Sequence, residues 1–367
     1  MIIFLDDEFE EIDFSVNKAA LVGLETIALS VRRGEHYVLA KRSVIFRLCD
    51  DASLSEHARG VFQSLRGEYA FIAERLKSFR FRVTVSVAGE LTRVSKMRWI
   101  IPVTLIANKG LSESILLAEN SDDADMYTHA ARHYQVHEKI SGIQIKITPR
   151  NGNGAGIYKE LGRVVEQERE FCLCVTDSDR LYPGANLGEN GSKCEKTLAD
   201  AKWVAYHCAP VGREIENVIP FKLIIEAAEK NNAKHCDAWL DGMKLIGDEP
   251  SLYADLKYGT SLRNVFSHAE KSRARFYWNK VIDKLPTIRQ SKCNGEGECS
   301  AAKEEKCQCS VVPALGENIA NHVRKVLGDD GPHATYKRAK SSTNFDDWLR
   351  LGQDVFEIAA APKPMRL

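Results

Sequence analysis

Surplus charge of either sign is missing from this 367-residue chain, in which 51 lysines and arginines face 51 aspartates and glutamates. That balance excludes a basic coat able to hold nucleic acid everywhere, so any nucleic-acid site has to be a local patch. Long apolar runs are missing too. The longest, Trp99 to Ala107, is interrupted by Pro102 and falls well short of the ~20 residues that span a bilayer. The N-terminus reads Met1-Ile2-Ile3-Phe4-Leu5-Asp6-Asp7-Glu8, too short in its apolar part and too acidic in its flank for a signal peptide. The glycine loop of the chain lacks the Lys-Ser/Thr pair that holds a nucleotide triphosphate and its metal. These absences predict a cytoplasmic protein with no membrane partner. Its ten cysteines are then thiols or metal ligands rather than a disulfide framework. Length, with 44% hydrophobic and 28% charged residues, predicts two or three globular domains.

What is present centres on Phe171-Cys172-Leu173-Cys174-Val175-Thr176-Asp177-Ser178-Asp179-Arg180. An unbroken apolar run stopping at two aspartates reads as a buried central strand with carboxylates at its C-terminal end, where parallel α/β sheets place their chemistry. Ser114-Ile115-Leu116-Leu117-Ala118-Glu119 is a second such run, followed by Asp122, Asp123 and Asp125 as a helix begins. Between the two lie an alternating stretch, Ile143 to Ile147, and a glycine loop with Gly152, Gly154 and Gly156 opening a helix. Right-handed crossovers bring successive parallel strand ends to one edge of a sheet, so Glu119, the glycine loop, Asp177 and Asp179 are expected to meet there. Converging carboxylates repel unless a divalent cation sits between them, and hard oxygen ligands suit Mg²⁺ or Mn²⁺, one ion or two. Glu119 then ligates or serves as base, Asp177 and Asp179 ligate, and Glu214 or Glu216 completes a second site. The glycine loop offers backbone amides to a phosphate, or is simply a strand-to-helix turn.

The order of these pieces resembles the Toprim domain, the metal-binding fold shared by topoisomerases, primases and OLD-family nucleases. The resemblance rests on Glu119, the Asp177 and Asp179 pair, Asp123 after the first strand, and Arg213-Glu214-Ile215-Glu216-Asn217, similar to a segment of OLD-like and defence-system Toprim proteins. Asn120 departs from the glycine usual at its position. The match covers roughly residues 112–220. It implies a metal-dependent nuclease with catalytic Glu119, Asp177, Asp179 and Glu214, the metal ligands Glu119, Asp123, Asp177, Asp179, Glu214 and Glu216, and Arg213 at phosphate. OLD proteins usually carry an ATPase in the same chain; none is seen here. That departure implies an effector paired with a separate sensor or ATPase, as in PARIS-type anti-phage systems, acting on DNA or on RNA including tRNA. The competing reading is a non-catalytic Toprim-like module that binds metal and a partner protein.

The expected fold is therefore α/β: a mixed α/β N-terminal domain over 1–110 for docking or dimerisation, hence a homo-oligomer, a central Toprim-like parallel sheet with flanking helices over 111–220, and a helical region over 221–367. In the first, strands are predicted at Tyr37–Ala40, Val44–Leu48 and Arg82–Val87, with helical spacing in Glu8–Ala28. A helix over Leu54–Phe79 carries a stripe of Val61, Leu65, Tyr69, Ile72 and Leu76. Its basic end, with Arg75, Lys77, Arg80 and Arg82, reads as a helix leading into an exposed edge strand. His129, His133 and His137 share a helix face and read as a partly exposed face rather than a zinc site. Lys193, Lys271, Arg273 and Arg275, the last three in a basic-aromatic run with Phe276 and Trp278, are candidates for nucleic-acid contact, with ordinary solvation the alternative. Cys293, Cys299, Cys307 and Cys309 lie within seventeen positions and suit a structural Zn²⁺, or stay as thiols in a loop. A closing helix over Phe345–Ala361 is expected to dock on the helical region.

Overall fold

A computed structural model describes residues 1–231, 235–285, 288, 293, 307 and 309–365, the side chains of 68–77 and 235 excepted. The chain forms two compact units: Met1–Thr176 with Ser192–Cys208 and Gly352–Leu367, and Asp177–Gly191 with Ala209–Leu351. Both are mixed in character, and the fold class is α/β.

Among the described residues the first unit contains a five-stranded sheet, a four-stranded sheet and a two-stranded pair. Strands β1 (Ile2–Leu5), β2 (Tyr37–Leu39), β3 (Arg82–Ser86), β4 (Thr92–Ser95) and β5 (Arg98–Pro102) lie in the order β2-β1-β3-β5-β4, parallel except for the β4–β5 hairpin. Helices α1 (Lys18–Arg32), α2 (Arg42–Asp50), α3 (Glu56–Lys77) and α4 (Val103–Lys109) accompany it. Arg82 therefore begins a central strand rather than an edge strand, with Val83 and Val85 fully buried between β1 and β5. Val44 to Leu48 is helical instead of extended. Val44, Ile45, Leu48 and Cys49 are its buried positions, an i, i+1, i+4, i+5 stripe, while Phe46 lies under the guanidinium groups of Arg42 and Arg66. Of the α3 stripe, Val61 and Leu65 are buried, and Tyr69, Ile72 and Leu76 fall among the undescribed side chains. Within Glu8–Ala28 the helix begins only at Lys18, capped by Asn17, after a short turn at Asp7–Glu10.

Further along come β6 (Ile115–Ala118), β7 (Gln144–Ile145), β8 (Thr148–Asn151), β9 (Cys172–Val175) and β10 (Ala205–Cys208). Four of them make an all-parallel sheet in the order β10-β9-β6-β8. β6 and β9 are buried at every position, as their apolar runs require. The third strand of this sheet is Thr148–Asn151 and not Ile143–Ile147. It is an edge strand, largely exposed and containing Pro149, which lacks the N–H a second neighbour would need. Helices α5 (Ser121–His137), α6 (Ile157–Gln167) and α7 (Glu189–Ala199) connect the strands. Ile157, Leu161 and Val164 of α6 pack on Ile115, Leu117, Cys172 and Cys174, with Cys194 and Leu198 beside them.

The second unit holds α8 (Ile215–Val218), α9 (Phe221–Lys230), α10 (His235–Ile246), α11 (Leu262–Phe266), α12 (Arg273–Ile282) and a small antiparallel pair, β11 (Thr260–Ser261) and β12 (Ser310–Val312). The closing helix Phe345–Ala359 runs into β13 (Ala360–Ala361), which pairs with β7 in the first unit. Its last turns thus dock there and not on the helical region. Glu357, only 1% exposed, accepts from the amides of Arg80 and Phe81 and from the Arg80 Nε at 3.1 Å, while Asp354 takes the other side of the same guanidinium at 2.8 Å. Two buried carboxylates need a cation, and Arg80 supplies it. Among the described residues no helix is long and apolar enough to cross a membrane.

Candidate functional site

In the first unit, β6 and β9 lie side by side in parallel register with Ala118 opposite Val175, so the strands that lead to Glu119 and Thr176 end at the same level. Glu119 is half-buried immediately beyond β6. Next to it, Asn120 caps α5: its side chain accepts from the Asp123 amide at 3.0 Å and donates to the Asp123 carboxylate at 2.5 Å. Asn120 is therefore a helix cap, and Asp122 and Asp123 sit where a helix dipole favours acid.

The glycine loop is tied to the same strand end. Gly152 N–H donates to the Ala118 carbonyl at 2.7 Å, Gly154 N–H to Glu119 at 3.0 Å and Gly156 N–H to Asn153 at 3.2 Å. A Cβ on Gly152 would meet Ile157 and the Ala118 carbonyl, and Gly154 has φ +58°. Close packing and a left-handed turn explain two of these glycines. With their amides spent inside the fold, all three leave the phosphate role to other groups.

In the second unit, the Asp-x-Asp segment is bound to the Arg213 segment through the backbone. Ser178 and Asp179 both donate their amides to the Arg213 carbonyl at 2.9 Å, and Ser178 Oγ donates to Gly212 at 2.6 Å. Asp179 holds a left-handed φ of 52°, packed so closely on Gly188 that a Cβ there would strike its carboxylate. Asp177 is half-buried and Asp179 exposed.

Glu214 and Glu216 are held differently from expectation. Lys257 Nζ lies 3.1 Å from Glu214 and 3.1 Å from Glu216, and Arg213 approaches Glu214 at 3.4 Å and Asp255 at 3.8 Å. Glu216 is 3% exposed and its Oε2 has no hydrogen-bond partner. Burial pushes its carboxyl above the usual range, Lys257 opposing and Glu214 adding to the shift. The cation that neutralises this pair is the chain's own lysine. A second metal ion on Glu214 and Glu216 would have to displace it, so those two carboxylates fit a divalent cation poorly. Nothing in the sequence marks Lys257, which lies in an unpatterned loop 41 positions beyond Glu216.

A cavity of about 170 Å³ opens beside this cluster, lined by Arg213, Asp255, Tyr253, Asn264, His268 and Trp278 among others. Burial, reinforced by the charges of Arg275 and Arg213, lowers the His268 pKa and favours its neutral form. The basic-aromatic run is divided by the helix period. Ala274 and Trp278 turn inward, and the indole N–H donates to the Leu181 carbonyl at 2.9 Å. Arg275 lies over Phe266 at 3.8 Å and donates to Val265, so it joins α12 to α11. Lys271 and Arg273 are exposed, as is Phe276 at 64%, with Lys280 Nζ 4.3 Å from its ring. Lys193 is on α7 of the other unit, over the Tyr158 ring at 4.9 Å. His133 is buried, His129 half-buried and His137 exposed, so the three histidines do not share one surface.

Among the described residues, the metal-ligating side chains whose donor atoms converge in a group of three are thiols: Cys293, Cys307 and Cys309, all within 4.8 Å of one another. Cys299 lies outside the described residues. No disulfide is formed among the described cysteines. Comparison with family models, curated proteins and solved structures yields no match for the chain.

Proposed function

We propose that the chain is a divalent-metal-dependent nuclease that cleaves phosphodiester bonds, with Glu119 and Asp177 as its principal acidic groups and Asp179 in support. The observation that carries this reading is the parallel, in-register pairing of β6 with β9, two strands buried throughout whose next residues include these acids. Carboxylates at the carboxyl ends of adjacent parallel strands are the usual position for chemistry in an α/β sheet. A Mg²⁺ or Mn²⁺ ion held by Glu119 would polarise the scissile phosphate. Glu119 takes the role of ligand or base, and Asn120, by fixing the start of α5, holds Asp123 next to it. The exposed face of α12, where Arg273, Phe276 and Lys280 recur at helical spacing, adds cations around an aromatic ring on which a base can stack. In this reading the protein is the effector of an anti-phage defence system, released by a separate sensor or ATPase, and its substrate is DNA or RNA.

The deciding experiment incubates plasmid DNA, single-stranded DNA and total cellular RNA with wild type, Glu119→Gln and Asp177→Asn in Mg²⁺ or Mn²⁺. Metal-dependent cutting by the wild type alone supports the reading and names the substrate class. Retained cutting by both variants, properly folded, refutes it. A second reading, a metal- or partner-binding module without catalysis, is favoured by one observation: Lys257 already satisfies Glu214 and Glu216. Absence of cutting by the wild type, together with equal toxicity of wild type and Glu119→Gln when each is expressed in cells, supports it instead.

A further inference from the structure

We propose that Cys293, Cys307 and Cys309 form a thiolate zinc site, structural in role and independent of the acidic groups. The three sulfur atoms lie within 4.8 Å of one another, and Cys293 Sγ is 3.6 Å from Cys307 Sγ. Two thiolates on one tetrahedral Zn²⁺, each at ~2.3 Å from the metal, stand ~3.8 Å apart. The observed spacing is that of co-ligands and far beyond the ~2.05 Å of a disulfide. Cys293 is buried, and Cys307 and Cys309 are half-buried, so the sulfurs are partly shielded from water as a retained ion requires.

The approach to the site is fixed by the fold. Cys309 is the residue before β12, and its carbonyl accepts from the Leu262 amide at 2.9 Å, at the start of α11. Val311 and Val312 then anchor β12 in the core. One side of the thiol group is thereby held against the β11–β12 pair before any ion arrives. On binding, Zn²⁺ displaces the thiol protons and gains three thiolate bonds, leaving the fourth position of the tetrahedron to a water or another donor. Soft sulfur ligands select zinc over Mg²⁺, so this site does not compete for the ion of the proposed catalytic centre. Thr260 of β11 also lines the cavity beside Arg213. The zinc thus clips the segment after α12 to the strand pair that borders that cavity.

The test uses the full chain purified from zinc-supplemented cells. Elemental analysis is expected to find about one zinc per chain, and its removal by chelator from the reduced protein to lower the melting temperature by about 5 °C or more, reversibly. Replacement by Co²⁺ is expected to give the thiolate-to-cobalt charge-transfer band and the strong visible bands of tetrahedral coordination. Cys307→Ser and Cys309→Ser should each lose those bands and most of the zinc. Because such variants are able to misfold, the cobalt spectrum of the wild type stands as the independent measurement. Metal-free wild type whose melting curve does not respond to Zn²⁺, or a cobalt spectrum without thiolate charge transfer, overturns the proposal.

Discussion

Replacing Lys257 by methionine removes the cation between Glu214 and Glu216 while keeping the length of the side chain. Each contact, at 3.1 Å, carries about 5 kcal/mol of attraction at an effective dielectric of ~20, most of it offset by desolvation of the three groups. Breaking a buried pair from one side typically costs 3–5 kcal/mol, roughly, because a buried charge is left unmatched. Lys257 is 31% exposed and partly screened, which places the expectation near the lower end, about 3 kcal/mol. For a unit of this size that is a fall in melting temperature of roughly 6–12 °C at pH 8. The penalty should shrink as pH falls. Glu216 already has a carboxyl pushed above its ordinary value by burial, and removal of Lys257 pushes it further, so the folded state takes up a proton before the unfolded one does. A group with a raised folded pKa gains stability as pH drops through that pKa. Thermal unfolding of Lys257→Met at pH 8 and pH 5 measures this, and Lys257→Met with Glu216→Gln should recover at least half the loss, since the buried charge is gone. A single variant melting within about 2 °C of wild type at pH 8, or a penalty independent of pH, refutes the reasoning. Restoration of the single variant by Mg²⁺ would return Glu214 and Glu216 to the role of metal ligands.

Burial pushes His36 down to about 3 and His207 down to about 4, so both are neutral in the folded chain while an unfolded histidine charges near 6.5. Their contribution to stability is complete above pH ~6.5 and is lost as pH falls toward 4; from pH 6 to 5 the two together cost about 2 kcal/mol, and His207→Asn should roughly halve that slope in urea melts. Gly352→Ala should destabilise by about 1–3 kcal/mol or more, because its Cβ would drive into the Ala130 carbonyl and the Ala131 amide, whereas Gly67→Ala, in α3 with open space around it, should raise stability by about 0.5–1 kcal/mol. Should nucleic acid bind the exposed face of α12, Phe276→Ala is expected to weaken it by about 1–3 kcal/mol and Arg273→Ala to lower the slope of log K against log salt by about one, both read by fluorescence anisotropy. Equal binding by both variants removes that face from the interface.

What the sequence by itself determined were the elements whose burial is complete and therefore written locally. Ile115–Ala118 and Cys172–Val175 are apolar at every position because both faces of a central parallel strand are covered, and two such runs in succession around helices lead directly to a parallel sheet. The polar strand Thr148–Asn151 had no such mark, since an edge strand earns its place by backbone pairing to one neighbour alone. Val44–Leu48 misled because a contiguous apolar run fits a strand as well as a helix until the surfaces it covers are known. Only the tertiary structure decided where the charges are matched. Glu216 meets Lys257, and Glu357 meets Arg80 across 277 positions, because a buried carboxylate takes whichever cation the fold brings within about 3 Å, and no spacing rule records that choice. The same holds for the three thiols. Their residue type was legible as metal-binding chemistry, and it is the folding of Cys309 onto β11 and β12 that brings their sulfur atoms to a common point.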